Sequence, residues 1–209
     1  MTKNYGSPGI ALLALGLALG ACAKSSDTPT DPVPPIPFQG PLNASFESND
    51  SWTFASTNSR DCARSLSGNS QAQIVAGTGF LPSNGVHYAK FDVCNTFSAP
   101  ASSAYQDLVD LTHSTTLRFD YSFTGLVGAG GGTATAQILF TSNGTSTLWT
   151  KVIDGTFTLP VQKLGETITL PATTVPGRLT ITFTVAGGQS GISVTQTDMS
   201  FAIDNLIVK

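Results

Sequence analysis

The sequence predicts an all-β protein, an antiparallel β-sandwich, and three observations carry that prediction. Between Leu42 and Lys209 nearly every patterned stretch alternates apolar and polar residues with period two. The clearest turn signal, Ser142-Asn143-Gly144-Thr145, separates two such stretches in the manner of a type I′ hairpin. No sustained helical period follows the N-terminal segment.

The chain begins with an address. Lys3 precedes an apolar run, Ile10 to Leu19, interrupted only by Gly16. This suits the hydrophobic region of a signal peptide and is too short for a membrane span, which needs roughly 20 apolar residues. The run closes on Leu19-Gly20-Ala21-Cys22, which resembles the lipobox of bacterial lipoproteins. That resemblance implies cleavage before Cys22 (signal peptide 1–21), a thioether-linked diacylglycerol on its sulfur and export to the cell envelope. Two or more acyl chains anchor a protein stably. Ala23, where an Asp would mark retention, implies the outer membrane by analogy. An ordinary secretory cleavage after Ala21-Cys22-Ala23 is the alternative.

Residues 22–41 read as a tether, with Pro29, Pro32, Pro34, Pro35, Pro37 and Pro41 among Ser, Thr and Asp. Proline fixes φ and removes donors, so such a segment reaches up to roughly 60 Å at about 3.1 Å per residue. Near Ile36 and Phe38 it has an alternative as an edge segment on the domain.

Composition narrows the function classes. Removal of the signal peptide takes away Lys3 alone among the charges, leaving nine Lys/Arg against thirteen Asp/Glu. With no basic patch, nucleic acid is not an expected partner. Of three cysteines, one is Cys22, and the even remainder, Cys62 and Cys94, predicts a disulfide in an oxidising compartment. A loop of that length stabilises by roughly 3 to 4 kcal/mol on chain-entropy grounds. Two buried thiols are the alternative.

Within the expected domain, 42–209, strands are predicted at Asn43 to Glu47, Gln71 to Ala76, Val86 to Val93, Thr116 to Phe123, Ala134 to Thr141, Thr147 to Ile153, Thr167 to Leu170 and Leu179 to Val185. Gly125 to Gly132 lacks the spacing of a nucleotide-binding fingerprint and reads as a hairpin loop. In the last strand Met199, Phe201 and Ile203 share one parity, whereas Leu206 and Val208 share the other. A β-bulge at Asp204-Asn205 restores the pattern and re-aims the Asp204 carboxylate.

Phe46-Glu47 followed by Trp52, then Leu117-x-Phe119-x-Tyr121, the Asn143-Gly144 hairpin leading to Leu148-Trp149, and a closing Ile203-Asp204-Asn205 occur in this order. In that order they resemble extracellular jelly-roll sandwiches: MAM domains, bacterial carbohydrate-binding modules and choice-of-anchor surface domains. The resemblance implies a jelly roll, and a structural Ca2+ held by Glu47 and Asp204 with nearby carbonyls, Asp50 or Ser67-Gly68 assisting. Calcium needs six to eight oxygens. The alternative for Asp204 is to accept backbone amides at the bulge.

For function, a binding module is the leading expectation. If Ala89, Phe91 and Val93 face the core, Tyr88, Lys90 and Asp92 face outward, together with Arg118 and Asp120. An aromatic ring with bidentate polar groups matches a sugar, whose faces stack and whose hydroxyls need paired donors and acceptors. A plain solvated face is the alternative for each of them, and Trp52 and Trp149 are assigned to the core or its rim. Carbohydrate is therefore the expected partner, and a structural or adhesive protein contacting other proteins is the second reading. A hydrolase is the weakest: Glu47 and Glu166 are the only glutamates, His87 and His113 the only histidines, and Gly188-Gln189-Ser190-Gly191-Ile192 misses the nucleophile-elbow pattern. The sequons at Asn43, Asn49 and Asn143 carry no glycan in a bacterial lipoprotein.

Overall fold

A computed structural model of the chain describes residues 40–56, 69–77, 85–94, 101–126, 132–186 and 198–209. The expected domain lies within one compact unit, Pro37–Lys209. The signal segment, the tether, Cys22 and Cys62 fall outside the described residues, as do Gly188 to Ile192 and most of the glycine-rich loop.

The described residues form ten strands: β1 (Thr53–Ser56), β2 (Asn69–Ala76), β3 (His87–Cys94), β4 (Ala101–Val109), β5 (Thr116–Leu126), β6 (Thr133–Thr141), β7 (Thr145–Asp154), β8 (Val161–Thr169), β9 (Gly177–Ala186) and β10 (Asp198–Val208). They form two five-stranded sheets, ordered β1-β4-β9-β6-β7 and β2-β3-β10-β5-β8. Pairing is antiparallel and nested: β3 with β10, β4 with β9, β5 with β8, and β6 with β7. A long hairpin rolled up on itself gives that nesting, so the chain is a jelly roll, with β1 and β2 each extending one sheet.

Alternation places the core. Leu117, Phe119, Tyr121 and Phe123 of β5 point inward, as do Leu179, Ile181, Phe183 and Val185 of β9. Aromatic rings bridge the sheets: Phe183 lies 6.2 Å from Phe123 and 5.8 Å from Phe201, and Trp149 meets Phe119 edge-on at 5.1 Å. Full burial of such a side chain stabilises by about 1.5–3 kcal/mol. The Tyr121 hydroxyl shares this environment, and burial raises its pKa.

Four expectations are corrected. Asn43 to Glu47 is a turn, because Asn43 and Phe46 have φ of 48° and 54°, and the Phe46 amide donates back to the Asn43 carbonyl. The turn still buries the Phe46 ring, 5.0 Å from Trp52, whose indole N–H donates to the carbonyls of Leu42 and Asn43. The Asn143-Gly144 hairpin exists, but Thr141 pairs with Thr145 across three residues, and neither Asn143 nor Gly144 has the positive φ of a type I′ turn. A register shift at Ile138/Leu139 absorbs the difference. β8 starts at Val161, not Thr167, and β1 and β4 were not expected from the pattern.

Candidate functional site

The outer face of the β2-β3-β10-β5-β8 sheet collects the side chains of opposite parity to the core. β3 contributes Tyr88, Lys90 and Asp92; β10 contributes Ser200, Ala202 and Asp204; β5 contributes Arg118, Asp120, Ser122 and Thr124. Register aligns them in rows, with Asp92, Ser200 and Thr124 in one, Lys90, Ala202 and Ser122 in the next, and Asp204 opposite Asp120. All five expected binding residues therefore share one face, with β10 between the two groups. At about 4.8 Å between neighbouring strands, the β3 and β5 groups stand about 10 Å apart across the sheet, and Arg118, opposite Ile207, lies about 13 Å along β5 from the Lys90 row.

On the β3 side, Lys90 Nζ lies 2.9 Å from Asp92 Oδ1, and the Ser200 hydroxyl donates to that same oxygen. Gln73 is paired in register with Lys90, and its side chain accepts from Gln71 Nε2 at 3.1 Å. The outcome is a half-buried polar row fixed by its own contacts. Ser200 and the two glutamines were not singled out from the sequence; their parity with Asp92 and Lys90 was the available signal.

On the β5 side the two neighbouring strands both slip register. β10 inserts Asn205 and Leu206 opposite Phe119, and Asn205 takes the left-handed φ of 57° that a bulge uses. The expected bulge at Asp204-Asn205 is thus present. β8 inserts Leu164 and Gly165 opposite Asp120, with Gly165 at φ 68°. Asp120 occupies the gap between them. Its Oδ1 accepts the Gly165 amide at 2.5 Å and its Oδ2 faces Asn205 Nδ2 at 3.4 Å, with the residue 0% exposed. Asp120 is a tie between bulges and offers a ligand no free oxygen. Arg118, by contrast, is exposed, and its guanidinium lies over the Gly165 backbone.

Tyr88 is corrected as a stacking platform. It is 5% exposed and packs with Ala202 and Val75 in a small apolar cluster separate from the main core. A ring so covered presents no face to a sugar. Trp52 and Trp149 are buried in the core, as expected.

The calcium pair resolves into two different settings. Glu47, in the segment before β1, reaches the start of β3, where Oε1 accepts the amides of Val86 and His87 at 3.0 and 3.2 Å and Oε2 meets His87 Nδ1 at 3.1 Å. The His87 contact holds its carboxyl below the usual range. Asp204 is fully buried in β10, where the following residues bulge. Among the described residues no three His, Cys, Asp or Glu side chains gather as a metal set. Ser67-Gly68, whose carbonyls were expected to assist, lie outside the described residues. Cys94 ends β3 opposite Asn69, while its expected partner Cys62 lies outside the described residues.

Fold and site together define a jelly-roll β-sandwich with one charged, ordered outer face. No protein-family model matches the chain, and no curated protein matches it in sequence. Among solved structures, the chain is similar to the family 11 carbohydrate-binding module of the cellulosomal cellulase Lic26A-Cel5E of Clostridium thermocellum, at 14% identity over 81% of this chain and 93% of that one, TM-score 0.43. It is also similar to a family 28 carbohydrate-binding module specific for non-crystalline cellulose, at 11% identity over 82% and 97%, TM-score 0.47. A third is the K1 cleaved adhesin domain of Lys-gingipain from Porphyromonas gingivalis W83, at 15% identity over 79% and 95%, TM-score 0.45. The architecture itself rests on the strand pairing above.

Proposed function

We propose that this chain is a non-catalytic binding protein that recognises carbohydrate on the outer face of the β2-β3-β10-β5-β8 sheet. The observation that supports the reading is the ordered polar cluster of Lys90, Asp92 and Ser200, with Arg118 on the same face further along β5. Sugar hydroxyls need donors and acceptors held at fixed spacing, and charged partners make the stronger bonds. With Tyr88 covered, recognition rests on these polar groups and not on ring stacking. The test is affinity electrophoresis of the full-length protein through a panel of polysaccharides. Retardation by at least one polymer, weakened by Asp92→Ala, is expected; a folded protein that no polymer retards refutes the reading.

Display on the cell envelope is part of the same proposal. Lipidated Cys22 and the proline-rich 22–41 tether would hold the domain off the membrane, the outer membrane by the Ala23 analogy. Mass spectrometry of the native N-terminus tests it, and an unmodified chain beginning at Lys24 overturns it. The Cys62–Cys94 disulfide is read from intact mass after alkylation with and without reductant; two thiols alkylated without reductant refute it.

A further inference from the structure

The two described arginines differ in one respect. Arg178 on the opposite sheet is forked onto Asp107, with Nε to Oδ1 at 2.6 Å and Nη2 to Oδ2 at 3.1 Å, and its guanidinium also lies 4.2 Å from the Tyr105 ring. Arg118 is exposed like Arg178 but has no carboxylate within ion-pair distance among the described residues.

Its position is nonetheless built. A Cβ on Gly165 would come within 3.0 Å of both Nε and Nη2 of Arg118, so this bulge glycine leaves the space in which the guanidinium lies. The same Gly165 amide donates to Asp120 Oδ1, which occupies that carboxylate oxygen. Asp92 is likewise occupied, by Lys90 and Ser200. Among the described residues the guanidinium has no ion-pair partner. It is planar, permanently protonated and matched to a carboxylate through two parallel bonds.

We infer that the carbohydrate taken by this face is acidic, a polysaccharide bearing uronate carboxylates, with Arg118 as the carboxylate anchor. The inference rests on the carbohydrate reading and refines it. Two observations favour an acidic over a neutral sugar. The covered Tyr88 removes the stacking on which neutral-sugar recognition would draw, and Arg178 shows within this same chain how an exposed arginine takes up a carboxylate. The net charge of −3 does not oppose this at contact range, because charges beyond about 8 Å are largely screened at physiological salt.

The test titrates the full-length protein with polygalacturonate and alginate, with their esterified forms, in which the carboxylates are neutralised on the same backbones, and with a neutral glucan. Binding of a uronate polymer is expected, at least tenfold weaker for its ester, at least tenfold weaker for Arg118→Gln, and unchanged for Arg178→Gln. Equal binding of acid and ester forms, or of Arg118→Gln and wild type, overturns the acidic assignment and leaves the carbohydrate reading standing. Binding of the neutral glucan alone does the same, and binding of no polymer overturns both. Thermal melts of each variant confirm that a lost signal is lost recognition and not lost fold.

Discussion

Asp120 offers the sharpest test of how this face is held together. Replacing it with Ala removes the 2.5 Å bond from the Gly165 amide and the long 3.4 Å contact from Asn205 Nδ2. A hydrogen bond to a charged group contributes about 1.5–3 kcal/mol, and the long contact adds at most about 0.5. Against this, Asp120 stands directly across from Asp204, and like charges in that relation cost about 0.2–1 kcal/mol that the substitution relieves. The net expectation is a loss of about 2 kcal/mol. In urea, where m is about 1–3 kcal/mol/M, the midpoint falls by about 1 M. Asp120→Asn keeps an acceptor for the Gly165 amide and should lose about 1 kcal/mol or less, with polysaccharide binding retained. An alanine variant within 0.5 kcal/mol of wild type, or an asparagine variant with intact stability and abolished binding, would refute the assignment of Asp120 as a tie between bulges.

Three further predictions follow from the packing. Phe201 is fully buried among Phe91, Phe123, Trp149 and Phe183, so Phe201→Ala should cost about 3–5 kcal/mol in equilibrium unfolding. Gly177 opens β9 where an added Cβ would clash with the Thr141 carbonyl and meet Phe140 Cζ at 2.8 Å; Gly177→Ala should lose about 1–3 kcal/mol, and an unchanged melting temperature would show that the strand can shift. Glu47 has a lowered pKa, chiefly through its hydrogen bond from His87. A depressed carboxyl contributes stability that is present above the unfolded pKa of 4.5 and is lost as pH falls through the folded value. Melting curves of Glu47→Gln should therefore fall less steeply than wild type below about pH 4.5, and parallel slopes would discount the contact.

Strands with a strong one-sided pattern were legible in the sequence, and those whose inward residues are small or polar were not. β5 and β9 present large apolar side chains at every second position. β4 buries Ser102, Ala104 and Gln106 instead, so hydrophobic periodicity carries no signal there. Gln106 belongs inside because its amide holds the chain entry, accepting from the Leu42 amide and donating to the carbonyls of Leu42 and Ser51. Only the end of β8 from Thr167 is legible, because the slip at Leu164-Gly165 breaks the strand's parity. The bulge in β10 was legible, since both halves of that strand are apolar and only their phase changes. Parity also placed the five candidate residues on one face. The burial of Tyr88 depends on Val75 and Ala202 and that of Asp120 on Gly165, contacts between strands that no local pattern records.

The two outer faces of the sandwich show why the charged one is the functional candidate. On the β1-β4-β9-β6-β7 sheet, Thr180, Thr182 and Thr184 of β9 stand beside Ser103 and Tyr105 of β4 and Thr135 and Gln137 of β6. These are the residues a solvated strand favours for its own sake, and the one arginine among them is satisfied by Asp107. The other face departs from that economy. It buries two carboxylates and places Gly165 at a positive φ beneath an arginine that no described acid neutralises. Buried carboxylates cost stability, and a sheet selected only for solubility has no need of them. Because Asp120 ties the two bulges to each other, they act as one device, and the exposed guanidinium of Arg118 lies over its Gly165.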